Sequence, residues 1–368
     1  MLEPTTHSIV TRPAPYNTEP VGAPGAAWPF VSVVIPCFNE ERFIGQVIER
    51  LAAQYDAGRF EIIVVDGHST DNTRAVVAAC AAQLDDVSVR LVANPARAIP
   101  VALNLGIAAA HGEIVARMDA HAVPSTNYLR RAVELLGDAT DMVVGMPCRI
   151  RAAAETATAR AIALAVAHPF GIGDAQYRIA HTGAARAVDT VPFGVFRKSL
   201  WQQLGGFDET LLTNEDYDFN YRVRRQGGRV VLDTAAHTVY FARATFSALA
   251  AQYFRYGRWK AQMLRQHPRS IRLRHTVAPV FVAALVSTGL LGLAWRPAWY
   301  LLALTLGAYL LAALAFAGTL ARRAGDYKLP APICAAFLVI HCTWGSGFWR
   351  GLFGRRPRPP SARRTGVT

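Results

Sequence analysis

Two short stretches carry residue types whose spacing could do chemistry. The first is Asp119-Ala120-His121, a carboxylate and an imidazole two residues apart, both able to ligate a divalent cation. The second is Glu215-Asp216, two adjacent carboxylates that follow Thr213-Asn214. Thr213 or Asn214 can cap a helix that begins there, which puts both acids in its first turn, where the helix dipole favours their ionised form. An ionised carboxylate at the mouth of a cleft is suited to taking a proton from a hydroxyl group. Each stretch alone is weak, since Asp-x-His occurs often in solvated loops and first-turn acids are ordinary helix features. Asp218 and Arg222, spaced i,i+4, read as a structural pair.

The elements around them give these residues a place. Ile114 to Met118 is a short, mostly apolar run that reads as a buried strand ending at Asp119. Val31 to Ile35 and Phe60 to Val65 read the same way, and Val87 to Val92 reads as a third strand. Between them, Phe43, Ile44, Val47, Ile48 and Leu51 recur at helical spacing, and Val101 to Ala110 predicts a helix closed by Gly112. Asp189 to Phe196 reads as a further strand-like segment, and Val230 to Asp233 as the final strand. Strands separated by helices predict an α/β fold with a mainly parallel sheet covered on both faces. Loops after such strands share one edge, which would gather Asn39, Glu40, Asp66, Asp71 and Asp119. That acidic set could hold a divalent cation or bind a nucleotide's base and ribose. Neither G-x-G-x-x-G nor G-x-x-x-x-G-K-S/T follows the first strand, which argues against a nicotinamide-dependent oxidoreductase and a P-loop protein.

Three motifs in combination carry a resemblance: Val33-Val34-Ile35-Pro36-Cys37-Phe38-Asn39-Glu40, Val64-Val65-Asp66-Gly67-His68-Ser69-Thr70-Asp71, and Asn104-Leu105-Gly106-Ile107 with Gly112-Glu113. Over about Phe30 to Lys260 the chain resembles the family 2 glycosyltransferases, whose fold is the GT-A nucleotide-sugar domain. The resemblance implies nucleotide contacts at Pro36, Asn39, Glu40 and Asp66, with Asp66 on a uracil base. Asp119 would match the first Asp of the family's D-x-D, contacting ribose and a metal-bound diphosphate. His121 stands where most members have the second Asp. Imidazole can still ligate Mn²⁺ or Mg²⁺, suiting Mg²⁺ less well, or the residue faces solvent or acceptor. Glu215-Asp216 resembles the family's E-D motif, in which the Asp deprotonates the acceptor in a single inverting displacement. The family's usual metal-site His near Phe241 is absent, leaving His237 or His121 to compensate. Arg255-x-x-Arg258-Trp259 resembles a motif of membrane-associated polysaccharide synthases that approaches diphosphate and acceptor sugar. An interfacial amphipathic helix explains the same mixture of cations and aromatics.

The chain has 368 residues, 52% hydrophobic residues, a net charge of +13 and a pI near 10.0. Such a balance suits anionic lipid, phosphorylated substrates or nucleic acid. Its clustering at Arg265, Arg269, Arg272 and Arg274, and at Arg355, Arg356, Arg358, Arg363 and Arg364, favours a membrane surface over nucleic acid. Val277 to Trp295 and Ala298 to Thr319 are uncharged and near the ~20 residues needed to span a bilayer. Only Arg296-Pro297 separates them, which predicts a hairpin with both outer ends, and the catalytic domain, in the cytoplasm. A third uncharged run, Pro330 to Trp349, puts the Arg-rich tail outside if it spans; a re-entrant or interfacial segment avoids that conflict.

Cys37, Cys80, Cys148, Cys334 and Cys342 show no C-x-x-C or zinc-ligand spacing and read as free thiols. The expected organisation is a flexible tail over 1–29 without a signal peptide, the transferase domain over 30–250, a basic-aromatic segment over 251–275, a membrane region over 276–350 and a basic tail over 351–368. The motif pattern is most like succinoglycan-type exopolysaccharide glucosyltransferases. Together these features predict a metal-dependent inner-membrane enzyme that moves a sugar from a UDP-sugar to a polyprenyl-linked saccharide. The alternative is transfer straight to polyprenyl phosphate, making a lipid-linked monosaccharide.

Overall fold

The computed structural model describes residues 28–54, 59–180 and 182–354. The expectations for most of the N-terminal tail and for the arginines of the C-terminal tail lie outside these residues. The chain opens with β1 (Val31–Cys37), α1 (Ile44–Ala52), β2 (Phe60–Asp66), α2 (Thr73–Gln83), β3 (Ser88–Ala93), α3 (Ile99–Ala109) and β4 (Ile114–Arg117). Apolar runs make β1, β2 and β4, because a strand covered on both faces cannot alternate with polar residues. β2 is buried along its whole length. Helix α1 turns Ile44, Val47, Ile48 and Leu51 onto the sheet, each such burial contributing about 1.5–3 kcal/mol.

The middle of the chain adds β5 (Ala122–Pro124), α4 (Tyr128–Leu136), β6 (Met142–Gly145), β7 (Cys148–Ala152), α5 (Ala157–Val166), α6 (Pro169–Ile172), α7 (Gln176–Ile179), β8 (Arg186–Ala187), β9 (Val195–Arg197) and α8 (Lys198–Gln203). Then follow α9 (Glu215–Arg225), β10 (Arg229–Leu232), β11 (Thr238–Ala242) and α10 (Phe246–Gln266). The main sheet runs β3-β2-β1-β4-β9-β6-β10-β8, parallel from β3 to β4, with β9 inserted antiparallel between β4 and β6. A second sheet, β5-β11-β7, sits beside it. Parallel order brings the C-terminal ends of β1, β2, β3 and β4 to one edge, as the sequence predicts.

Several local expectations change. Asp189 to Gly194 is bend and irregular backbone rather than strand, because Phe193 turns the backbone into the left-handed region at φ 51° just before β9. Val230 to Asp233 is not the last strand, since β11 follows and pairs with β5 and β7. Gly112 does not close α3 as a left-handed residue. A Cβ there would lie 2.7 Å from both Phe30 O and Ser32 N, so glycine is required for close approach to β1.

The C-terminal part consists of α11 (Val277–Gly292), α12 (Ala298–Arg323) and α13 (Pro330–Phe353). All three are long and apolar enough to cross a membrane when α11 is taken with the short turn before it. Helices α11 and α12 expose Val280, Val286, Leu290, Leu304, Leu311 and Leu314, a surface suited to lipid. Helix α13 is different. Its Ile333, Ala336, Phe337 and Ile340 are buried in a cluster shared with α5 and α12. Its glycines let the backbone of α10 come against it: a Cβ on Gly347 would sit 2.1 Å from Phe254 O. Both ends of α13 are tied to other helices, α5 of the catalytic domain and α10 that follows it. Arg160 of α5 pairs with Asp326 at 2.8 Å just before it, and Gln262 and Arg265 of α10 donate to Gly351 O at 2.7 Å and Gly354 O at 3.0 Å at its end.

Candidate active site

The candidate site forms where the edge loops meet the N-terminus of α9, and its centre is a residue whose partners there the sequence does not show. Arg117, the last residue of β4, is only 4% exposed. Its guanidinium contacts Asp119 at 2.9 Å, Glu215 at 3.2 Å and Asp216 more closely still. Its backbone N–H donates to Gly194 O at 3.0 Å, so the antiparallel register of β9 fixes where the side chain begins. Phe193 lies under the guanidinium, 5.7 Å from ring centroid to Arg117 Cζ. One buried cation therefore organises three carboxylates from distant parts of the chain.

Strained backbone accompanies the site. Asn39, His68, Arg97, Phe193 and Asn214 are the non-glycine residues with positive φ among those described, and all lie in loops at this edge. Such conformations cost about 1–3 kcal/mol each and persist where surrounding structure holds functional geometry. Asn214 precedes α9 in this conformation and makes no capping side-chain hydrogen bond, contrary to expectation. The first turn of α9 still presents Glu215 and Asp216 to the cavity. Burial pushes the Glu215 carboxyl up, opposed by Arg117, with the net direction upward. Asp218 is wholly buried and pairs with Arg222 at 2.8 Å and His267 at 2.9 Å, the structural role its spacing predicts.

The expected nucleotide residues occupy the adjoining edge. Asp66 is buried and accepts hydrogen bonds from Ser69 N–H at 3.2 Å and Ser69 Oγ at 2.5 Å. Asn39 joins the first two loops, its Oδ1 accepting from Thr70 N–H at 2.8 Å and its N–H donating to Ser69 Oγ at 2.9 Å. Asp71 accepts from Thr73 and from Glu41 N–H. Asp66 and Asp71 are thus engaged in shaping loops, and no group of three His, Cys, Asp or Glu among the described residues forms a cation cage.

A smaller donor set remains. His121 Nδ1 lies 2.9 Å from Glu40 Oε1. Opposite a carboxylate, Nδ1 carries the proton, so in the neutral ring the lone pair is on Nε2. A histidine oriented by a carboxylate through its second nitrogen is the usual arrangement of a metal-binding imidazole. Burial lowers the His121 pKa, but the Glu40 hydrogen bond and the charges of Asp119 and Glu40 outweigh it and raise it overall. Asp119 and His121 both face the cavity, so the pair fits a cation that takes its other ligands from a bound diphosphate and water. His237 does not line the cavity; its N–H donates to Ser125 Oγ at 3.1 Å.

The cavity has a volume of about 890 Å³ and is long. One end holds Arg117, Asp119, His121 and Asp216; the other reaches Phe281 of α11, Tyr309 of α12 and His341 and Trp344 of α13. Arg178, Arg243 and Arg255 also line it. Arg178 donates to Tyr253 OH at 3.2 Å and lies over the rings of Tyr177 and Tyr240, with no carboxylate partner among the described residues. Of the Arg255-x-x-Arg258-Trp259 motif, Arg255 reaches the cavity, whereas Trp259 packs with Leu211, Tyr217, Tyr221 and Met263. Pro36, Asn39, Glu40, Asp66, Arg258 and Trp259 are not among the cavity-lining residues.

The sheet with its parallel edge is that of a GT-A glycosyltransferase domain, and three helices long and apolar enough to cross a membrane follow it. The chain belongs to glycosyltransferase family 2. Residues 32–191 match the family model described as glycosyl transferase family 2. The succinoglycan biosynthesis protein ExoA of Rhizobium meliloti (strain 1021) is 30% identical over 332 residues, covering 89% of this chain and 96% of that protein. A dolichyl N-acetyl-α-D-glucosaminyl phosphate 3-β-D-2,3-diacetamido-2,3-dideoxy-β-D-glucuronosyltransferase of Methanococcus voltae is 26% identical over 242 residues, 64% of this chain and 74% of that one. Among solved structures, a mannosyltransferase from Pyrobaculum calidifontis in complex with GDP-Man and Mn²⁺ superimposes with a TM-score of 0.58 at 21% identity. That match covers 92% of this chain and 91% of the other.

Proposed function

We propose that this chain is an inverting glycosyltransferase that moves a hexosyl group from a nucleotide-diphosphate sugar, a UDP-sugar by preference, to a lipid-linked saccharide at the cytoplasmic face of a membrane. One observation carries the reading: Asp119 and Asp216 meet on Arg117 at one end of a cavity whose other end lies among apolar C-terminal helices. The similarity to a succinoglycan biosynthesis protein supports a role in surface or exported polysaccharide assembly.

Asp216 acts as general base. It accepts the proton of the acceptor hydroxyl as that oxygen attacks the anomeric carbon, the bond to the diphosphate oxygen breaks, and configuration inverts. Contact with Arg117 holds the Asp216 carboxylate in place before acceptor arrives. Glu215, more deeply buried, positions Arg117. Asp66 and Glu40 belong to the nucleotide edge, Asp66 on the base and Glu40 through His121. Arg243 and Arg255 supply positive charge for the diphosphate. Asp119 and His121 Nε2 would hold a divalent cation, Mg²⁺ or Mn²⁺, whose chemistry is to offset charge on the departing diphosphate.

The location follows from the same frame. Helices α11 and α12 form a membrane hairpin in an inner membrane. Helix α13, fastened at both ends to α5 and α10, lies against the catalytic domain and returns the C-terminus to the cytoplasm. The reading is tested with full-length chain in membranes, a panel of labelled nucleotide sugars and a polyprenyl-linked saccharide extract. It expects transfer of label into lipid from a UDP-sugar, with inverted configuration at the new linkage and loss of transfer after chelation. Retained configuration, or transfer indifferent to chelation, would remove the corresponding part of the mechanism.

A further inference from the structure

Lys260 of α10 is a buried amine that the transfer chemistry above does not use. It is 2% exposed and lines the same cavity. Among the described residues no carboxylate lies within ion-pair distance of it. Its Nζ sits 3.3 Å from the centre of the Tyr217 ring and 3.5 Å from Met263 Sδ, both weak partners for an ammonium group. The neighbouring cation is already neutralised, since Arg274 pairs with Asp174 and Asp189. Burying an ammonium without a counter-ion is costly, so a bound anion is what would hold Lys260 in its charged form.

The surroundings give that anion a shape. Tyr217 follows Asp216 directly, and Lys260, which lies over the Tyr217 ring, lines the same cavity as Asp216. His275 Nδ1 accepts the Arg272 N–H at 3.1 Å, which leaves the proton on Nε2 as a second donor. Its ring stacks with Trp344 of α13 at 6.3 Å and meets Tyr217 edge-on at 5.4 Å. Beyond them the wall turns apolar and aromatic. Phe281 and Tyr309 stack at 4.5 Å, and Phe170 packs on Tyr309 at 5.8 Å and on His341 at 5.3 Å. A cation, then a donor, then an aromatic lining between membrane helices is the sequence of surfaces met by a phosphate carried on a hydrocarbon chain.

We propose that Lys260, with His275, forms a subsite for the phosphate of a polyprenyl carrier whose chain follows the Phe170–Phe281–Tyr309 wall toward the bilayer. The inference rests on the lipid-linked acceptor proposed above and names what holds it. A polyprenyl diphosphate-linked saccharide and a polyprenyl monophosphate share this chemistry. The carrier phosphate binds at Lys260 and the group to be glycosylated lies toward Asp216.

The test uses full-length chain in detergent micelles and equilibrium binding of a labelled long-chain polyprenyl phosphate, with UDP binding measured on the same samples. Unlabelled polyprenyl phosphate and a polyprenyl diphosphate-linked saccharide compete, and their relative strength tells which carrier is preferred. Polyprenol, inorganic phosphate and phosphatidylglycerol compete poorly. Lys260→Met weakens lipid binding by about tenfold or more, as expected for a lost charge-assisted contact, and Lys260→Arg restores most of it. UDP binding is unchanged in both. Equal competition by polyprenol or by phosphatidylglycerol overturns the proposal without any variant, as does Lys260→Met binding the lipid as wild type does. Absence of UDP binding by the wild type, with lipid binding dependent on Lys260, sinks the transferase mechanism and leaves the subsite standing.

Discussion

The guanidinium of Arg117 rests directly against the carboxylate of Asp216, joining the end of β4 to the first turn of α9. The same cation holds Asp119 and Glu215, so three acids depend on one buried charge. Replacing Arg117 with Met leaves those acids in mutual repulsion. We expect a loss of about 3 kcal/mol of stability, read by denaturant unfolding in detergent, because removing one partner strands the others. Transfer is also expected to fall below detection. Arg117→Lys supplies charge without the forked geometry and should recover stability more than activity.

His121 and Glu40 make a second prediction. If Glu40 orients His121 for a cation, Glu40→Gln lowers Mn²⁺ affinity in the presence of UDP by roughly 10–100-fold, as loss of such partners does. His121→Ala lowers it further, whereas His121→Asp retains binding and shifts preference toward Mg²⁺. Titrating free Mn²⁺ by electron paramagnetic resonance reads this without turnover. Unchanged affinity in His121→Ala would take the imidazole out of the site.

Helix α13 carries a topological prediction. With both ends fastened to α5 and α10, the C-terminus should share a side with the catalytic domain. A reporter fused after the last residue should be cytoplasmic, and a cysteine placed in the Arg296-Pro297 turn should label from the opposite side. A C-terminus labelled from outside would make α13 a third crossing.

Lys260 predicts a pH dependence of stability. Burial lowers its pKa well below the ordinary lysine range; Arg274 and Arg224 add to the shift, and Asp189 and Asp218 oppose it. The uncharged faces of Tyr217, Met263 and the His275 ring complete its surroundings. The unfolded chain then binds this proton more tightly than the folded one. Stability therefore rises with pH from the lowered value up to about 10.4, the ordinary value for lysine. Lys260→Met should melt a few degrees higher than wild type at pH 7, with the gap closing as pH approaches that limit. A gap that widens with pH would contradict the assignment.

Much of this was legible in the residues. The apolar runs mark β1, β2 and β4 because doubly covered strands have no polar face, and their ends place Asp66 and Asp119 on one edge. Glu215 and Asp216 are readable as first-turn acids. The contacts of Arg117 were not, because its partners in α9 are distant in sequence. The same distance hides Lys260, whose isolation depends on where Asp174 and Asp189 spend their charge. Phe193 shows no turn signal, since its left-handed backbone is imposed by β9 entering antiparallel. The glycines in α13 could be noticed, but that they admit α10 rather than lipid depends on a helix in another part of the chain.

The central claim is that Asp216 removes the acceptor proton in transfer from a nucleotide sugar. Single-turnover transfer from a labelled UDP-sugar to a polyprenyl-linked saccharide, compared between wild type and Asp216→Asn, tests it most directly. The account predicts a rate lower by roughly 10²–10⁴-fold in the variant, with UDP binding retained. A variant that binds UDP and transfers at the wild-type rate would contradict it.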